Sequence, residues 1–161
     1  SSFIYGLECE QGEVDLGWGN CNDLFTSSTS NGCMPSGCFS IEETIELNFS
    51  YTPLGDFPYN IGQLSNLSII NIDDCGINGE IPESIGNLKN LIWLKVSGND
   101  LELPDSLGVT SNITGEIPAS IGNLINLESL DLSNNNINGP IPDSIGNLNN
   151  LSYLSLHGNE I

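Results

Sequence analysis

Arginine is absent from this 161-residue sequence and lysine occurs only at Lys89 and Lys95, so 21 acidic residues leave a formal net charge of −19. No basic stripe exists to neutralise phosphates, which excludes nucleic acid as a partner. No apolar run reaches the length of a membrane span. The opening "SSFIYGLECE" lacks the basic, apolar character of an export leader, so any such signal is expected to have been removed or to lie outside this sequence. Catalytic signatures are missing as well: there is no Gly-rich phosphate loop, no GxSxG and no HExxH. The one histidine, His157, is read as a surface residue with no nucleophile or metal partner at its register. A non-enzymatic protein without a cofactor is expected. Hydrophobic residues make up 38%, low for a globule but suited to a thin apolar column.

What the chain has instead is repetition. "IPESIGNL" at Ile81 to Leu88 returns as "IPASIGNL" at Ile117 to Leu124 and as "IPDSIGNL" at Ile141 to Leu148. The later two copies start 24 residues apart and the first two 36 apart, one period plus a 12-residue insertion placed near 102–113. A fixed period marks units too small to bury their own apolar face, which must stack on their neighbours. Upstream of the octets run "LSIINIDDCGI" from Leu67, "LIWLKVSGNDL" from Leu91, "LESLDLSNNNI" from Leu127 and "LSYLSLHGNEI" from Leu151, all of the form LxxLxLxxN/CxL. The central alternation of apolar and polar residues predicts one short strand per unit. These strands are expected to centre near Ile45, Ile70, Leu94, Leu130 and Leu154. The recurring Asn99, Asn135 and Asn159, or Cys75 in their place, would satisfy backbone groups at the turn off each strand.

The unit "LESLDLSNNNINGPIPDSIGNLNN" resembles the plant-type leucine-rich repeat, LxxLxLxxNxLxGxIPxxIGxLxx, over residues 41–161, with the first unit, "IELNFSYTPLGDFPYNIGQLSN", one residue short. The resemblance implies an α/β solenoid: a right-handed superhelix with a parallel sheet on its concave side and 3₁₀ segments on the convex side. It also implies that residues 1–40, with "GWGNC" and "GCFSIEETIELNFS", form an N-terminal cap in which Trp18 covers the first repeat.

Cys9, Cys21, Cys33 and Cys38 all precede the repeats. Their even number suggests two disulfides, with Cys9–Cys21 and Cys33–Cys38 favoured among three connectivities; a zinc site is the rival, although no CxxC pair supports it. Cys75, in the ladder position, is expected to be a buried thiol. Four Asn-x-Ser/Thr sequons, at Asn48, Asn66, Asn112 and Asn150, predict N-linked glycans. Disulfides and glycans together predict an extracellular or cell-surface setting.

In the implied fold the polar positions of each strand face the concave surface. Its columns read Thr44, Ile69, Trp93, Ser129, Tyr153; then Glu46, Asn71, Lys95, Asp131, Ser155; then Asn48, Asp73, Ser97, Ser133, His157. Trp93 and Tyr153 are candidate contact anchors or, equally, cover for their neighbours on the sheet, and Lys95 beside Asp131 is read as a cross-strand pair. Asp73 and Asp74 form a weak candidate for Ca²⁺, lacking the spaced ligands of a loop site.

The last unit breaks off after "LSYLSLHGNEI", so either further residues follow Ile161 or Leu151, Leu154, Leu156 and Asn159 form an open stacking edge that another molecule completes. On that basis the sequence leans to a structural glycoprotein whose partner is itself, assembling head to tail into a fibre or surface layer. The alternative is a recognition ectodomain or inhibitor that binds another extracellular protein or a peptide on the concave face. Resemblance to plant leucine-rich-repeat antifreeze proteins adds ice binding as a distant third.

Overall fold

The computed structural model describes residues 11, 13–16, 38–50, 54–99, 101–102 and 110–161. The LxxLxL segments resolve into a parallel sheet of five strands, Glu46–Ser50, Ile69–Asp73, Trp93–Ser97, Ser129–Asp131 and Tyr153–Ser155, laid side by side in chain order. Leu47, Ile70, Leu94, Leu130 and Leu154 stand in one register line. The first four are buried in the apolar column, and Leu154 on the last strand is 44% exposed. At the other end Glu13–Asp15 pairs antiparallel with Cys38–Ser40, and Val14, Leu16 and Phe39 join the column beneath the first strand. Cys9, Cys21, Cys33 and Trp18, with the side chain of Cys38, lie outside the described residues.

The first unit corrects the expected register. Glu46, not Thr44, pairs with Ile69, and Asn48 and Ser50 pair with Asn71 and Asp73. Leu47 and Phe49 therefore take the inward positions, while Ile45 is 55% exposed and Thr44 is buried where later units place Leu. "ETIELNFS" offers apolar residues at every second position, so a two-residue slip satisfies the same alternation. Packing decides: the aligned Leu47 and Phe49 match Ile70 and Ile72 of the next strand.

The repeated octet builds the opposite side. Segments Ile61–Gln63, Glu83–Asn87, Ala119–Asn123 and Asp143–Asn147 form 3₁₀ turns, three of them entered through an extended proline at 82, 118 and 142. Ile85, Leu88, Ile121 and Leu124 point into the column. Two of the three octet serines reach back one unit, Ser84 to the Tyr59 carbonyl at 2.6 Å and Ser144 to the Ala119 carbonyl at 2.7 Å, whereas the buried hydroxyl of Ser120 has no partner. Glycine permits close stacking, for a Cβ at Gly86 would stand 2.6 Å from the carbonyl oxygen of Ser120. The proline, isoleucine, glycine and leucine of the octet thus each serve the stack, which is why the octet recurs.

Between sheet and 3₁₀ row runs a second, shorter ladder: Gly79–Glu80 pairs parallel with Ile113–Thr114, flanked by bridges Asp56 to Asn78 and Asn138 to Glu160. The insertion leaves the solenoid as a hairpin, Leu101–Glu102 against Thr110–Ser111.

The asparagine ladder follows the turns off the strands. Asn99 Oδ1 accepts the amides of Cys75 and Ile77, both at 3.2 Å. Asn159 accepts the Ile137 amide at 3.0 Å and donates to the Leu132 carbonyl at 2.8 Å. Cys75 substitutes as a buried thiol whose Sγ lies 3.3 Å from the Asp73 carbonyl. Asn135 donates to the Val96 carbonyl at 2.7 Å, yet its buried Oδ1 has no partner. The amides it would accept belong to the unit whose chain departs into the hairpin.

Candidate recognition surface

The solvent face of the sheet carries three columns, now in corrected register: Glu46, Ile69, Trp93, Ser129, Tyr153; Asn48, Asn71, Lys95, Asp131, Ser155; and Ser50, Asp73, Ser97, with Ser133 and His157 continuing past the shorter last strands. Strand alternation aims these side chains away from the apolar column. Trp93 is 57% and Tyr153 51% exposed, and Ser129 stands between them. Two strand spacings put the aromatic stems about 10 Å apart. The small serine leaves a shallow slot with a ring at either side.

Lys95 corrects a second expectation. Its ammonium lies 2.8 Å from Asp73 Oδ2, diagonal to it on the preceding strand, rather than pairing with Asp131 directly opposite. Asp131 instead accepts the hydroxyl of Ser133 at 2.6 Å and its amide at 3.0 Å. Asp73 also accepts the Ser97 hydroxyl at 2.6 Å. Partial burial raises the Asp73 carboxyl, but the hydrogen bonds from Lys95 and Ser97, with the charge of Lys95, outweigh it and hold the group below the usual carboxylate range. The hydrogen bond to Asp73 lifts Lys95 above its ordinary value against its own desolvation.

This pairing bears on Asp73 and Asp74 as cation ligands. Both Asp73 oxygens are engaged, and Asp74 has a left-handed backbone, φ 51°, with its carboxylate against Gly98 of the next unit. Gly98, Asn134 and Gly158 take the same left-handed conformation one unit apart. Asp74 is thus a turn residue. Among the described residues no three His, Cys, Asp or Glu side chains group around a common point.

His157 does have a hydroxyl partner, contrary to the sequence reading: Ser155 Oγ lies 2.9 Å from Nδ1. The contact spans two residues along one strand end, as Ser133 with Asp131 does, and reads as side-chain packing on the sheet rim.

The sequons occupy two kinds of place. Asn48 is exposed on the sheet face, its Oδ1 accepting from Asn71 at 3.0 Å. Asn66 and Asn150 belong to a column with Asn90 and Asn126 in which every Nδ2 donates to a carbonyl of the preceding unit: Glu42, Ser65, Lys89 and Ile125 for Asn66, Asn90, Asn126 and Asn150 in turn. Asparagine is required there for stacking whether or not a sequon follows. Asn112 is half-buried, with Oδ1 enclosed. At the last strand Leu151 and Leu156 are half-buried, and Asn159 turns its side chain back into the preceding unit.

Leucine-rich repeat family models match residues 66–88 and 105–161. Solved structures similar to this fold include a TDR receptor, 33% identical over 73% of the chain with a TM-score of 0.63. Another is the leucine-rich repeat ectodomain of the Arabidopsis receptor kinase HAESA in complex with an extended IDA peptide hormone, 33% identical over 73% with a TM-score of 0.62. A third is a plant ice-binding protein, 26% identical over 71% of this chain and 34% of its own, with a TM-score of 0.55. The chain spans 18% of the length of each of the two receptors. No curated protein sequence matches it significantly. No described helix is long and apolar enough to cross a membrane. In its repeat units, its parallel sheet with opposed 3₁₀ turns and its relatives, the chain is a plant-type leucine-rich repeat protein.

Proposed function

We propose that this chain is an extracellular recognition module, without catalytic activity of its own, that binds a peptide or protein along the solvent face of its sheet. The observation that carries the reading is the exposed pair Trp93 and Tyr153 with Ser129 between them. Exposed aromatic side chains supply large contact area at small entropic cost and dominate the energetics of interfaces. On the same face the Lys95–Asp73 pair adds a local dipole rather than a field of one sign. Similarity to receptor ectodomains, one of them crystallised with a peptide hormone, supports the same reading and an extracellular setting.

End-to-end assembly into fibres has no comparable support among these relatives. Ice binding would call for a flat, regular array of free groups. Here the sheet face carries projecting rings, and the regular Asn66, Asn90, Asn126, Asn150 column commits its amide donors to backbone carbonyls.

A random peptide library displayed on phage and selected against the chain tests the proposal. Enriched peptides should lose at least tenfold in affinity against Trp93→Ala/Tyr153→Ala. Equal binding to both forms, or no enrichment, would count against it.

A further inference from the structure

We infer that a second binding surface lies on the flank of the solenoid, a groove fitted to an extended, arginine-containing segment of a partner protein. The groove is about 700 Å³ and crosses four consecutive units, between the short second ladder and the 3₁₀ row. Its floor is apolar, formed by Phe57, Ile81, Ile117 and successive prolines, and Tyr59 stands 82% exposed at one end.

The chemistry of the lining is one-sided. Proline has no N–H, so Pro82, Pro118, Pro140 and Pro142 bring no backbone donors to the groove, while the carbonyls of Pro82, Pro118 and Pro142 are taken up within the 3₁₀ turns by the amides of Ile85, Ile121 and Ile145. Glu80, Glu83 and Glu116 add carboxylates. Two of these are set in place by glycine: a Cβ at Gly115 would stand 2.9 Å from Glu80 Cγ, and one at Gly139 would stand 2.8 Å from Glu116 Cγ. Each glutamate therefore lies across the glycine of the following unit, its carboxylate carried to the groove. Glu83 accepts the Ser120 amide at 3.2 Å, a neutral partner. The one ion pair among the described residues, Lys95 with Asp73, is on the sheet. A groove that carries three carboxylates and no backbone donors from its prolines, in a chain with 21 acidic residues and two lysines, is complementary to a cationic donor.

Length and shape narrow the occupant. Four units at the strand spacing extend about 15–19 Å, the reach of about five extended residues. Arginine suits the site better than lysine, because its planar guanidinium bonds carboxylates in pairs and stacks on an aromatic face such as that of Tyr59. The groove is separate from the sheet face, so this surface does not depend on the recognition role assigned to Trp93 and Tyr153.

The test is an NMR titration of the ¹⁵N-labelled 161-residue chain with a capped Arg-Gly-Arg-Gly-Arg peptide at moderate salt, where general attraction is screened. Shifts are expected at the amides of Glu80, Gly115 and Glu116. Glu80→Gln/Glu116→Gln, which keeps the side-chain shape, should weaken binding about tenfold, as expected for removal of charged hydrogen-bond acceptors. Glu42→Gln/Glu43→Gln removes the same charge from an exposed turn elsewhere and should change affinity less than twofold, as should Trp93→Ala. Equal weakening by the two glutamine pairs would mean that net charge alone attracts the peptide and would overturn the inference. Shifts confined to other surfaces, or none, would overturn it as well.

Discussion

Lys95 reaches diagonally back to Asp73, at 2.8 Å, and leaves Asp131 directly opposite to be held by Ser133. The lysine side chain is 40% and the aspartate 24% exposed, so solvent screens the pair and its worth is about 0.5 kcal/mol. The depressed Asp73 contributes stability above its unfolded pKa and loses it as pH falls through the lower folded value. The raised Lys95 contributes fully below its unfolded pKa and loses its share as pH rises through the higher folded value. Chemical denaturation should therefore show a constant stability gap between the parent chain and Asp73→Asn near neutrality. The gap should shrink below about pH 4 and above about pH 10.4. A gap that widened at either extreme would contradict the pairing.

Asn99 holds two buried amides of the preceding unit, those of Cys75 and Ile77. Asn99→Ala leaves both without an acceptor, and a loss of about 3 kcal/mol in urea unfolding is expected. A loss under about 1 kcal/mol would show that water replaces the side chain freely.

Glycine at the same octet position has opposite consequences in different units. Gly86→Ala would drive its methyl into Ser120 and should cost about 1–3 kcal/mol. A Cβ at Gly146 meets nothing within 4 Å, so Gly146→Ala should stay within about 0.5 kcal/mol of the parent. Thermal unfolding of the two variants side by side distinguishes stacking from a general demand for glycine.

Sugars are expected at Asn48, Asn66, Asn112 and Asn150, read by the Asn to Asp mass change after enzymatic deglycosylation. Asn126, in the same column as Asn66 and Asn150 but outside any sequon, should carry none. Asn126→Ala should nevertheless cost about 1 kcal/mol, because its bond to the Lys89 carbonyl at 2.8 Å is lost. A destabilisation seen only in glycosylated protein would assign the column to sugars instead of stacking.

The solenoid was legible in the sequence because its two signals reinforce each other: the octet fixes the period, and LxxLxL fixes the inward face of the later strands. The first unit was not, since Ile45, Leu47 and Phe49 allow two registers and only contact with Ile70 and Ile72 chooses between them. Trp93 and Tyr153 were placed correctly on the sheet face. The partner of Lys95 was missed because adjacency in an alignment shows the residue opposite, whereas a long side chain also reaches the diagonal neighbour. The Asn66 to Asn150 column was visible only as sequons. Asn90 and Asn126 at the same spacing were the available sign of a stacking role. The flank groove had no sequence signal of its own, for it arises where prolines and glutamates of three units come beside Phe57 and Tyr59 of the first.

Recognition by the sheet face is tested most directly at a single probe, the indole N–H of Trp93, assigned by its disappearance in Trp93→Phe and followed while a library-selected peptide is titrated. With Trp93 and Tyr153 as the anchors, the Trp93 signal should shift with the same saturation curve as binding measured by calorimetry, and Tyr153→Ala should weaken that curve at least tenfold. Saturable binding that leaves the Trp93 indole unmoved would place recognition elsewhere on the molecule.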